Sequence, residues 1–194
     1  MIVLALLTGL PVLVALLTLA FPTLILLLLA GHDTTASLIG SGVLALTQNP
    51  EQLALLRQQP ELLESTALEE LLRYTAPVPC GAPRIALEDT VIAGVRIPRG
   101  SQVLGMISSA NRDESIFEMP EALNLTRKPN KHITFAFGMH YCLGTHLARL
   151  EGRTALTTLL QRFPNWEPTV RMDQLRYRPT VSLRGLTKLP IRMY

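Results

Sequence analysis

The segment Phe135-Ala136-Phe137-Gly138-Met139-His140-Tyr141-Cys142-Leu143-Gly144 most narrows what this chain can fold into. It sets one cysteine in a glycine-punctuated turn. The turn runs straight into Thr145-His146-Leu147-Ala148-Arg149-Leu150-Glu151, and apolar residues then recur at helical spacing through Leu156, Leu159 and Leu160. The pattern predicts a helix over residues 143–163, stopped by Pro164, with Cys142 at its N-terminus. Free backbone N–H groups and the helix macrodipole favour an anion there, which makes a thiolate available as a soft ligand for iron. Gly138 and Gly144 lack the Cβ that would keep a flat ligand away from the backbone. His140 can donate a hydrogen bond to a carboxylate. Taken alone, a cysteine at a helix start is more often a small buried hydrophobe than a ligand.

Three further segments carry chemistry of their own. In Ala30-Gly31-His32-Asp33-Thr34-Thr35, Ala30 and Thr34 share a helical face. Gly31 weakens the helix and the Thr34 hydroxyl can bond back to the carbonyl four residues earlier, so the ladder is expected to open and admit a water or dioxygen. Asp33 beside Thr34 supplies an acid and an alcohol for moving protons; His32 is read as pointing elsewhere. In Glu70-Leu71-Leu72-Arg73 the spacing puts a carboxylate and a guanidinium on one face, which by itself reads as an ordinary surface pair worth a few tenths of a kcal/mol. In Ala82-Pro83-Arg84-Ile85-Ala86-Leu87, Pro83 ends a loop and Arg84 opens a strand, presenting a permanently charged fork suited to carboxylates.

Taken in order, these segments resemble the cytochrome P450 family, whose cysteine loop runs Phe, Gly, any, Gly, any, His or Arg, any, Cys, any, Gly. Phe135, Gly138, His140, Cys142 and Gly144 fall in register, and Ala136 stands where the first glycine is expected. The resemblance implies haem b, with Cys142 as the metal ligand whose thiolate pushes electron density onto the iron and favours O–O cleavage. It implies that His140 and Arg84 hold propionates, that Phe135, Gly138, Gly144, Ala30 and Gly31 lie against the cofactor, and that Asp33 and Thr34 deliver protons. Glu70 and Arg73, joined by Arg127 from Leu125-Thr126-Arg127-Lys128-Pro129-Asn130, become a buried brace. The loop over residues 75–83 becomes an apolar wall on the substrate side. The implied reaction is monooxygenation of an apolar small molecule by O2, with NAD(P)H electrons arriving from a separate ferredoxin or flavoprotein.

The expected fold is mainly α, of α+β type, corresponding to the later half of that family with small β-sheets. Asn49-Pro50-Glu51 reads as an N-cap, a first-turn proline and an acidic first turn, opening a helix through Gln58. A helix from Pro60 is expected to carry Glu70 and Arg73. Residues 90–92, 95–97 and 102–106 read as strands of one small sheet separated by the turns Ala93-Gly94 and Pro98-Arg99-Gly100. A short helix is expected from Ser109, and a closing hairpin over residues 180–192.

Residues 1–32 contain no Lys, Arg, Asp or Glu. The family's central helix accounts for residues 23–46, which leaves 1–22 as an atypical apolar segment interrupted by Pro11, ahead of one haem-binding domain over 23–194. Three readings stand for it: a membrane anchor, a buried pair of apolar helices, or replaced upstream sequence, of which the third is favoured. There is no basic n-region for a signal peptide and no Lys/Arg flank to orient a span.

Composition adds a mild positive balance, +3, with 17% charged residues. Arg149, Arg153 and Lys131 would form either a docking face for an acidic electron donor or an ordinary solvated surface. Scattered basic residues and 5% aromatics speak against nucleic acid. Two cysteines, one assigned to iron, leave Cys80 as a free thiol, which suits a reducing, cytoplasmic setting. The expected protein is thus a haem-thiolate monooxygenase in truncated or minimised form. The alternatives are a haem-binding fragment with at most peroxide-driven oxidation, and a membrane-associated apolar protein with vestigial motifs.

Overall fold

The computed structural model describes residues 2–194, with side chains at position 14 and from 16 onward. The chain divides into two units, residues 1–33 and 34–194.

Helix α1 spans Ile2–Gln48 without a break, so neither Pro11 nor Pro22 ends it, and the expected start at residue 23 lies well inside it. A proline costs a helix one hydrogen bond, but the surrounding Leu, Ala and Ile residues favour helix strongly enough to carry the ladder across. In the first unit the described side chains at positions 14 and 16–32 are exposed, and the Thr23 hydroxyl bonds back to the Leu19 carbonyl at 2.8 Å. The described residues there form one continuous helix and not a pair. By length and composition alone, the stretch Leu16–Gln48 is long and apolar enough to cross a membrane. The helix is α throughout Ala30–Thr35, so the expected opening of the ladder at Gly31 is not seen.

In the second unit a leucine-rich core forms between the end of α1, α2 (Pro50–Gln58), α3 (Ala67–Thr75) and α5 (Thr145–Arg162). Leu38, Leu46, Leu56, Leu71, Leu72, Leu125 and Leu156 are all at most 2% exposed. Gly152 lets α5 approach closely, since a Cβ there would lie 3.1 Å from Leu38 and 3.2 Å from Leu68. Asn49 is the N-cap of α2, as expected, but its side chain makes no capping bond. Its amide instead donates to the Ala45 carbonyl at 2.8 Å, satisfying the end of α1, while its own carbonyl accepts the first N–H groups of α2.

The expected single helix from Pro60 is divided into a 3₁₀ turn, Pro60–Glu64, and α3. Ser65 and Thr66 separate them; such residues compete for local backbone bonds and favour a helix boundary. Four short strands follow. β1 (Arg84–Ile85) pairs with β4 (Gln102–Val103), and β2 (Thr90–Ile92) pairs with β3 (Val95–Ile97), both antiparallel, so two small sheets replace the expected one. Helix α4, Ile107–Ala110, ends where a helix was expected to begin. Asn111 is instead drawn into the interior, fully buried, with its amide oxygen accepting from Ile133 N–H and its amide nitrogen donating to Thr134 Oγ1, both at 2.9 Å. The tail closes differently as well: β5 (Trp166–Pro168) pairs with β6 (Ile191–Met193), around a bridge between Tyr177 and Leu186.

Candidate functional site

Cys142 lies two residues ahead of Gly144, the N-cap of α5, rather than in the helix's first turn. It is held by backbone. Its N–H donates to the Phe135 carbonyl at 2.9 Å, and its own carbonyl accepts from the buried Thr145 hydroxyl at 2.6 Å. A 3₁₀ turn, Gly138–His140, lies inside the loop so closed, with Tyr141 N–H returning to the Gly138 carbonyl at 3.0 Å. Phe135 is the anchor, 9% exposed and part of the leucine core. The thiol faces outward. Cys142 is exposed, and so are Phe137 (88%), Met139 (92%) and Leu143 (90%), an apolar rim of the kind that marks a binding surface.

Ala136 sits at φ 62°, in the left-handed region where a Cβ is strained by about 1–2 kcal/mol. Gly138 sits at φ 75°, with open space where its Cβ would be. Ala136 thus adopts the conformation of the glycine it replaces. Ala136→Gly is expected to stabilise the chain by about 0.5–1 kcal/mol, the relieved strain less the greater freedom of glycine when unfolded. Chemical denaturation checks this; an unchanged or lowered midpoint contradicts it.

Helix α3 holds the loop from below. Glu70 and Arg73 are fully buried, with Arg73 Nε donating to Oε2 and Nη2 to Oε1 at 2.8 Å each. Arg127 Nε completes the triad at 3.0 Å, and Asn130 Nδ2 and the Asn124 N–H donate to the same carboxylate at 3.1 and 2.9 Å. The spare guanidinium N–H groups reach the carbonyls of Asn111, Pro120, Ala122, Glu118 and Met119, and the Phe117 ring lies beneath both arginines. Glu70, Arg73 and Arg127 are brought together around one buried carboxylate, as the resemblance implied.

Glu69, one residue earlier, faces the other way. Arg149 grips it at 2.6 and 2.7 Å, and His132 Nε2 lies 2.9 Å from Oε2. Thr134 N–H donates to His132 Nδ1 at 3.2 Å, so the ring proton sits on Nε2 and points at Glu69. Burial works to raise the Glu69 pKa, but hydrogen bonds from Arg149 and His132 outweigh it and lower it from 4.5 to about 2. The pair's stabilisation is therefore complete above about pH 4.5 and fades as the pH falls toward 2. Because Glu69 is partly solvated, its worth is about 1–2 kcal/mol after screening. Glu69→Gln is expected to flatten the fall in stability between pH 5 and pH 2.5 by that amount; parallel denaturation profiles for the two proteins would contradict it.

Arg149 and Arg153 thus carry counter-charges, the latter from Glu64, which places two of the three basic residues expected in a docking or solvated face in ion pairs. Sequence reasoning missed Glu69, His132, Asn111 and Asn130. The Glu69-Glu70 doublet was the available signal, since adjacent helical positions point about 100° apart.

The remaining residues are placed as follows. Arg84 is exposed on β1 and His140 exposed in the 3₁₀ turn. Asp33 and Thr34 are partly buried on α1, at the end of the first unit and the start of the second; Ala30 and Gly31 are exposed in the first. Within the second unit a cavity of about 490 Å³ is lined by Val78, Cys80, Ala82, Pro83, Leu104 and Val181. Cys80 is buried there, its thiol donating to the Val181 carbonyl at 3.4 Å, and both cysteines are free.

The cytochrome P450 family model matches residues 22–190. This chain belongs to that family. The polyketide biosynthesis cytochrome P450 PksS of Bacillus subtilis is 50% identical over 173 residues, 89% of this chain and 42% of that protein. Its solved structure superimposes with a TM-score of 0.84, covering 88% of this chain and 44% of the other. The vitamin D(3) 25-hydroxylase of Pseudonocardia autotrophica is 44% identical over 87% of this chain and 41% of its own length. The chain therefore spans about two fifths of the relatives it matches. The fold is that of the family, mainly α with small sheets, and haem b is the family's cofactor.

The residues present fit that group. An exposed free thiol stands on a loop tied down at both ends, the rim around it is apolar, and Arg84 and His140 offer donors for carboxylates. The backbone at Gly138 is open to close approach.

Proposed function

We propose that this chain is the cofactor-holding part of a bacterial-type monooxygenase, binding haem b through Cys142 and acting on an apolar small molecule. The carrying observation is the Cys142 loop, which fixes the backbone on both sides of the thiol and leaves the sulfur outward among exposed apolar side chains. When bound, haem supplies the oxygen-activating chemistry. Cys142 supplies the anionic ligand, His140 and Arg84 orient the propionates, Asp33 and Thr34 pass protons, and Glu70, Arg73 and Arg127 keep the loop in register. The 490 Å³ cavity, with its apolar lining, is of a size suited to a small apolar substrate. One relative, PksS, is named for polyketide biosynthesis and another for the 25-hydroxylation of vitamin D(3), and apolar carbon skeletons are the class proposed here. Electrons come from a separate ferredoxin or flavoprotein, and the protein works in the cytoplasm, as its bacterial relatives and free cysteines suggest.

A second reading, haem binding with at most peroxide-driven oxidation, draws on the same exposure, because water reaching the iron would compete with dioxygen. Turnover separates them. After haem loading, NADPH with a ferredoxin system should oxidise an apolar probe, and Thr34→Ala should release several-fold more hydrogen peroxide per NADPH at equal haem content. Product formed only with added peroxide supports the second reading, and detergent-dependent solubility with no haem uptake supports membrane association through residues 1–30.

A further inference from the structure

We propose that Glu69 and Arg149 are positioning residues for Cys142: their ion pair locks the C-terminal side of the cysteine loop to α3, as Glu70 locks its N-terminal side. The inference rests on the reading of Cys142 as the haem ligand, and its geometry is independent of that reading. The loop leaves the scaffold after Arg127 and Asn130, both bonded to Glu70, and returns to it at Arg149, bonded to Glu69. Two adjacent carboxylates on one helix thus grip both flanks of a loop whose residues 137–144 are exposed.

Arg149 does more than pair. Its guanidinium stacks on the Phe135 ring at 4.7 Å, and Phe135 is the residue whose carbonyl receives the Cys142 N–H. Tyr141 meets the same ring edge-on at 6.5 Å, and His132 meets it from another side at 6.2 Å while donating to Glu69. Phe135, Tyr141, His132 and Arg149 therefore form one cluster, tied to α3 through Glu69. A bidentate fork fixes orientation as well as distance, which a lysine ammonium cannot do. Releasing the fork frees Phe135 to rotate and slackens the backbone bond that sets the direction of the sulfur.

The variants are Glu69→Gln, which preserves shape, and Arg149→Lys, which preserves charge. In the haem-free chain, amide hydrogen exchange of a peptide spanning residues 135–144 is expected to quicken at least tenfold in both, with residues 67–75 unchanged. In haem-loaded protein, the thiolate-type share of the ferrous carbon monoxide spectrum is expected to fall by at least half at equal haem content. Unchanged exchange over 135–144, or an equal rise over 67–75, overturns the proposal by making the pair merely structural. If the unaltered chain takes up no haem, the functional reading fails, and the exchange measurement still decides the positioning role.

Discussion

Glu70→Ala is expected to remove about 3–5 kcal/mol of stability, a large fraction of the roughly 5–15 kcal/mol that a domain holds. The reason lies in what remains after the carboxylate has gone. Arg73 is fully buried and Arg127 is 8% exposed, so the substitution leaves two cations inside the protein with no counter-charge. It also strips the partner from Asn130 Nδ2 and from the Asn124 N–H. The carbonyls of Pro120, Ala122 and Glu118 still accept from the arginines, but neutral acceptors do not cancel buried charge. Glu70→Gln is expected to fall between the two, since it keeps an acceptor and loses the charge. Equilibrium denaturation measures both variants; an Ala variant within 1 kcal/mol of the parent would show that the triad contributes little to the fold.

Gly152→Val is the other large effect, about 3 kcal/mol, and its cause is volume rather than charge. Even a lone Cβ would press on Leu38 and Leu68 at 3.1 and 3.2 Å, closer than nearly all real contacts of this kind. Both leucines are buried in the core between α1, α3 and α5, where off-rotamer side chains or helix displacement are the available responses, each costing energy. Valine adds two methyl groups to that collision. Gly152→Ala should lose about 1 kcal/mol, relieved in part by better helix propensity. A valine variant as stable as the parent would mean that α5 does not lie so close to α1 and α3.

The difference between these two sites shows how far the sequence could be read. Glu70, Arg73 and Arg127 were legible because their spacing matches a family motif whose parts are far apart in the chain, and the structure assembles them around one carboxylate. The strand pair 90–92 and 95–97 was legible because its turn, Ala93-Gly94, needs positive φ at both positions, and alternating residues flank it. Gly152 carried no such signal, since a close approach between helices depends on partners more than 80 residues away. Glu69 went unread, and Arg149 was read only as part of a docking or solvated face, for the same reason. Local patterns fixed the start of neither α3 nor α5: Ser65 and Thr66 interrupt the helix expected from Pro60, and Thr145 takes its place in α5 by donating to the Cys142 carbonyl. Pro11 was expected to interrupt the apolar segment, yet α1 is continuous, because helix formers on either side outweigh one lost bond.

Whether Cys142 binds haem iron as a thiolate is decided by one spectrum. The chain is loaded with haem b, reduced, and exposed to carbon monoxide, beside a Cys142→Ala variant. The parent should show a strongly red-shifted Soret band that the variant lacks completely. A parent spectrum without that band, or one that Cys142→Ala leaves unchanged, would contradict thiolate ligation by Cys142.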